Sequence, residues 1–202
     1  MGLDMSYQAI PAECELIDRA RQDDELGEML CVVARWFRTG VGPKAWPEAE
    51  KLWRELCELA AQHPGLEKRN CFLDRWWDKL HYLLSANRRD EAGSEEDDLF
   101  DKALRGTSVM MLKRARAPQY LPVKYVAPAE VEMIAVLLQS MSTESLRVHY
   151  VPTKMEASGV YKFWADRADE SEWTHISDYF TDFRTFYLEA ARHKEGVIVC
   201  LD

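Results

Sequence analysis

Glycine is scarce in this 202-residue chain: nine residues, none of them clustered, with no G-x-G-x-x-G and no Walker-type loop. A phosphate cradle built from backbone N–H groups needs such a run, so nucleotide binding through a glycine-rich loop is set aside. Long apolar runs are missing as well. No stretch reaches the roughly 18–20 residues of a membrane helix, and no apolar leader opens the chain, so neither spanning nor export by the ordinary signal is expected. Cysteines are few and irregular: Cys14, Cys31, Cys57, Cys71 and Cys200, with no C-x-x-C pair. An odd, scattered set is read as reduced, mostly buried thiols of a cytoplasmic protein. Positive charge is in deficit, 26 Lys and Arg against 35 Asp and Glu, for a net charge of -9. Sequence-independent nucleic-acid binding requires the opposite balance, and anionic membrane surfaces would repel the chain. A protein partner with a basic surface remains compatible. G-x-S-x-G, H-E-x-x-H and Cys/His zinc spacings are also absent, and no metal or cofactor is expected.

What the chain does have is aromatic mass. Seven Trp, eight Tyr and seven Phe supply enough buried area for one large core, so a single domain over residues 1–202 is expected. Met5–Ile10 reads as a first strand, and Pro11 as the opening of a helix carrying Cys14, Leu16 and Ile17. Helices are predicted over 24–37 and 47–62, the second from the stripe Ala49, Leu52, Trp53, Leu56, Leu59 and Ala60. Asn87–Asp98 is read as an acid-rich loop, followed by a short helix ending at Gly106. Val109–Leu112 and Val123–Val126 are candidate strands, and Pro128 opens a helix to Met141. Trp173, Ile176, Phe180, Phe183, Tyr187 and Ala190 recur at 3, 4, 3, 4 and 3, predicting a long helix with Ser171 at its N-cap and Gly196 as its stop. Val197–Leu201 then reads as a buried interior strand. An apolar C-terminal strand needs a sheet to enter, so the fold class is α+β: a helix-rich domain with a small mixed sheet.

The stretch Cys71–Leu84 concentrates the candidate chemistry. Leu73, Trp77, Leu80 and Leu84 fall at spacings of 4, 3 and 4 and predict a helix over 73–86. On that helix Asp74, Asp78 and His81 form a polar stripe beside the apolar one, which would set a carboxylate next to an imidazole. The functional reading makes Asp78 and His81 an acid/base pair, with His175 as a further catalytic candidate and Trp77, Asp74 and Tyr82 as ligand-binding candidates. The structural reading makes the pair a hydrogen-bonded core edge, which is commoner in folded proteins. Lys113-Arg114-Ala115-Arg116 is the one local basic patch, and a solvated strand edge is its ordinary role.

Four motifs, taken in order, carry a resemblance across nearly the whole chain. They are Met1-Gly2 before the first strand; Trp77-Asp78-Lys79-Leu80-His81 with Tyr82; Ala103-Leu104-Arg105-Gly106 with the later Tyr125-Val126-Ala127-Pro128-Ala129-Glu130-Val131; and Phe183–Ala191 leading to Gly196-Val197-Ile198-Val199. In these the chain resembles the YfbM-like family, bacterial proteins grouped as a domain of unknown function. The resemblance implies an α+β single domain and a bacterial cytoplasm, and it brings no reaction. Two functions from different classes follow from the residues. One is a non-catalytic binding protein, immunity-like or regulator-like, for a basic partner. The other is a small-molecule-binding protein or modest enzyme built around Asp78 and His81.

Overall fold

A computed structural model describes residues 3–43, 46–85, 95–110 and 123–201. Among the described residues five strands form one sheet in the order β2-β1-β5-β4-β3. They are β1 (Met5–Pro11), β2 (Asn70–Asp74), β3 (Ser108–Val109), β4 (Lys124–Val126) and β5 (Glu195–Leu201). The fold is α+β, helix-rich and with the C-terminal strand in the centre of the sheet. Every pairing among the described residues is antiparallel, so the sheet is not mixed as the sequence suggested. The longest of these pairings joins β1 to β5 along their whole lengths, Met5 opposite Leu201 through to Pro11 opposite Glu195.

Alternation along the strands divides the core in two. Met5, Tyr7, Ala9, Val126, Val197 and Val199 face one cluster, while Ile10, Val123, Tyr125, Ile198 and Cys200 face another. The second face is covered by α1 (Glu15–Gln22), α2 (Asp24–Thr39) and α3 (Pro47–Gln62). The first is covered by α4 (Trp77–Ser85), α5 (Glu95–Arg105), α6 (Pro128–Gln139), the short α7 (Thr143–Arg147) and α8 (Pro152–Ala157), and the long α9 (Glu170–Arg192). Side chains close the starts of α2 and α9. Asp23 Oδ1 accepts from the N–H of Glu25 and Leu26 at the start of α2, and Asp169 Oδ1 accepts from Glu172 N–H at 2.9 Å to cap α9. The cap of α9 is therefore Asp169, not Ser171.

Other sequence expectations shift for identifiable reasons. Pro11 ends β1 instead of opening a helix, and α1 begins at Glu15. Gly196 lies inside β5; the turn that ends α9 is made by Lys194 in the left-handed region at φ 56°. Leu73 belongs to β2, because residues 70–74 alternate in burial, with Cys71 and Leu73 inward and Phe72 exposed. Helix α5 takes up the last residues of the stretch read as an acidic loop. The rest of that stretch, the basic Lys113–Arg116 and the opening Met1-Gly2 lie outside the described residues.

The cysteines are corrected too. Cys31 of α2 and Cys200 of β5 are joined as a disulfide in the second cluster, their Cα atoms 5.9 Å apart, because α2 crosses the central strand there. Cysteine content therefore gives no support to a reducing compartment. Denatured, unreduced protein is expected to titrate as three free thiols (Cys14, Cys57 and Cys71) and as five after reduction; five before reduction would show the pair open. Among the described residues no helix is long and apolar enough to cross a membrane.

Candidate functional site

Helix α4 begins where Asp74, at φ 49°, turns the chain out of β2. The candidates on and around it go to different places. The Trp77 indole Nε1–H donates to Leu3 C=O at 3.0 Å and is fixed against β1. Asp78 Oδ2 accepts the Tyr161 N–H at 2.7 Å, tying α4 to the chain after α8. His81 Nε2 lies 3.4 Å from Asp101 Oδ1 on α5. Asp78 and His81 thus engage different partners, and the spacing of three residues does not make them a couple. Asp74 sits at the strand end beside Arg75 and Asp4, and burial, with the neighbouring Asp74 adding to it, raises the Asp4 carboxyl above its usual range. Tyr82 is buried. His175 lies against the Trp76 ring, centroids 5.6 Å apart, where Tyr179 stacks and Lys79 Nζ lies 3.7 Å from the centroid. Lys79 is itself buried and ion-paired to Glu172 at 2.6 Å, so this aromatic group reads as packing between α4 and α9.

Three residues that were not among the sequence's site candidates lie near His81. Asp101 and Arg105 stand one turn apart on α5, Arg105 Nη1 lying 3.3 Å from the Asp101 carboxylate. Lys124, on the neighbouring strand β4, points to the same sheet face as Val126 and adds its charge. The hydrogen bond from His81 is the main influence holding the Asp101 carboxyl below its usual range, with Arg105 and Lys124 contributing. The end of α5 is rigidly built. Buried Tyr187 and Tyr7 donate to the carbonyls of Ala103 at 2.6 Å and Leu104 at 2.9 Å, satisfying acceptors that a helix C-terminus leaves open. Burial pushes both phenols well above their usual range, so they stay protonated donors. Gly106 then turns at φ 70°, and a Cβ there would meet Lys124 Cβ at 2.6 Å. Beside this corner lies a recess of about 110 Å³ lined by Met5, Trp77, Arg105, Lys124, Val199 and Leu201. The i, i+4 pair Asp101–Arg105 before a glycine was visible in the sequence. Its meeting with Lys124 depends on β4 pairing with β5, which was not.

A second feature occupies the opposite side of the sheet. Between α1, the start of α2, and α3 run two adjoining open depressions of about 470 and 330 Å³ that share Arg19 and Glu55. Leu26, Met29 and Leu52 floor one, Leu16 and Leu59 the other. Asp23, Glu25 and Glu48 rim the first, Glu13, Glu15 and Glu58 the second, with Arg19 and Lys51 as the cations. Arg19 is already engaged with Glu55 at 2.8 Å across the groove, and that contact raises its affinity for its proton. Among the described residues no group of three or more His, Cys, Asp or Glu is arranged to hold a metal ion.

Comparison with known proteins gives a family and a fold. A family model described as a domain of unknown function (DUF1877) matches residues 1–200. The crystal structure of YfbM from Escherichia coli, titled as a protein of unknown function, superposes with a TM-score of 0.55 at 12% identity, covering 98% of this chain and 99% of that one. At that identity the likeness concerns the fold alone. Comparison with curated proteins returned no match.

Proposed function

The chain belongs to the YfbM-like family, the domain of unknown function DUF1877, and from that premise we propose that it is a non-catalytic binding protein whose groove between α1, α2 and α3 receives a basic, amphipathic segment of a protein partner. The observation that carries this reading is the composition of the groove: an apolar floor of leucines and a methionine between rims in which carboxylates outnumber cations. Both depressions are open to solvent and adjoin end to end, which suits a segment laid along them better than one enclosed small molecule. An amphipathic helix can lay leucine-like side chains on the floor and lysines or arginines along both rims, the helix-in-groove mode of recognition. Opposite charge across the rim speeds encounter and sets orientation, and its effect weakens with salt. An immunity-like or a regulator-like role would use the same contact.

The test uses a fluorescent lysine–leucine amphipathic peptide and anisotropy. Charge reversal at the rims, Glu25→Lys with Glu48→Lys, is expected to weaken binding at least tenfold. Reversal at the exposed Glu132 and Asp166, on other elements, is expected to leave it within about twofold. Equal losses from both pairs would mean that the peptide senses only net charge, and the groove would lose its assignment.

A further inference from the structure

We propose that the recess between α4, α5 and the sheet is a binding site for a small monocarboxylate bearing a short apolar group, with Arg105 and Lys124 taking the carboxylate and Trp77, Met5, Val199 and Leu201 enclosing the apolar end. This goes beyond the groove and lies on the other face of the sheet, so either site can fail without the other.

Three observations carry it. The first is the wall. Four of the six lining residues are apolar, and the other two are cations rather than carboxylates, in a chain whose net charge is -9. The one carboxylate that His81 and Arg105 both approach is Asp101; with Lys124 beside them, positive charge exceeds negative at this spot. The second is size. About 110 Å³ is somewhat less than the roughly 150 Å³ cavity that accommodates benzene, so the recess takes a branched alkyl group whole, or a single ring whose carboxylate-bearing edge stays at the opening beside Arg105 and Lys124, and not a long chain. The third is preorganisation. Trp77 is held by Leu3, the terminal carbonyls of α5 are held by two buried tyrosines, and Gly106 lets the backbone at the end of α5 come close against the Lys124 side chain. Little ordering remains for a ligand to impose. The planar Arg105 fork suits a carboxylate, and a single negative charge fits an acidic protein better than the double charge of a phosphate ester.

The experiment follows the indole N–H resonance of Trp77, assigned with a Trp77→Phe variant, during titration with phenylacetate and 3-methylbutanoate. Saturable shifts are expected with a Kd of about 0.1–1 mM, a range ordinary for ligands of this size. Phenylacetamide, of nearly the same shape without the charge, is expected to bind at least tenfold more weakly. Lys124→Gln and Arg105→Gln should each weaken phenylacetate about tenfold. Asp101→Asn removes the carboxylate that competes for Arg105, so it should tighten binding several-fold, a gain that damage to folding would not produce. The proposal is overturned by the absence of any Trp77 shift at 10-fold the upper Kd, by equal binding of acid and amide, or by Lys124→Gln binding like the parent.

Discussion

Replacing Glu195 by alanine is expected to destabilise the protein by about 3–5 kcal/mol, a large share of the roughly 5–15 kcal/mol that holds a domain folded. Glu195 opens β5 and receives both Arg69 contacts, Nε to Oε2 at 2.8 Å and Nη2 to Oε1 at 2.6 Å. The side chains are 2% and 9% exposed, so neither charge retains water as an alternative partner. Arg69 also holds the chain entering β2: its carbonyl accepts from Ala9 N–H and from Gln8 Nε2, and its Nη1 donates to Pro64 C=O. Removing the carboxylate leaves the guanidinium buried and unneutralised at the junction of three segments. Glu195→Gln keeps the shape but not the charge, and should lose most of the same stability. Replacing both partners by methionine should recover most of the loss, because the penalty lies in the orphaned charge and not in the missing attraction. The exposed pair Arg54–Glu50, 65% and 46% exposed, is the control; Glu50→Ala should change stability by no more than about 0.5 kcal/mol. Urea midpoints with unchanged slopes would measure all four. A loss below about 1 kcal/mol for Glu195→Ala would show that water reaches the pair.

How far the sequence revealed this structure depends on how local each feature is. Helix α3 was read with its observed ends, since Pro47 starts it and Ala49, Leu52 and Leu56 are all buried on one face. The same periodicity misled at Leu73. Its distance of four residues from Trp77 mimicked a helix, while the alternation of Cys71, Phe72 and Leu73 carried the strand. Leu73 is fully buried either way, and only the neighbour β1 decides which period holds. The candidate site shows the same division. The sequence located His81, Trp77 and the segment where polar groups meet the core. It could not bring the Asp101–Arg105 pair and Lys124 to His81, because they meet there through the packing of α4 on α5 and through the place of β4 next to β5. Asp78 illustrates the converse: adjacent in sequence, it is spent on the backbone of Tyr161.

Gly196→Ala should be the most damaging single-methyl addition in the sheet, at about 3 kcal/mol, the upper end of ordinary overpacking. The residue looked like a helix stop, but its necessity is lateral. A Cβ at this position would overlap Tyr125 Oη and Cζ. Tyr125 pairs with Ile198 across the β4–β5 ladder, so its ring reaches diagonally over the glycine two residues away, on the face shared with Ile198 and Cys200. The ring cannot simply swing clear. Arg21 covers it with its guanidinium carbon 5.3 Å from the centroid, and Arg21 itself reaches towards Ser108 on β3. Burial pushes the Tyr125 phenol up to about 12, so it stays neutral while it fills this space. A double-mutant cycle separates crowding from any backbone need for glycine. Tyr125→Ala alone will lose the ring's own packing. In that background Gly196→Ala should cost less than about 0.5 kcal/mol, because the added methyl then occupies vacated space, and the coupling should approach the full cost of the single change. If Gly196→Ala is as costly without the ring as with it, the glycine is required by the strand backbone, and the contact with Tyr125 is a consequence of that requirement.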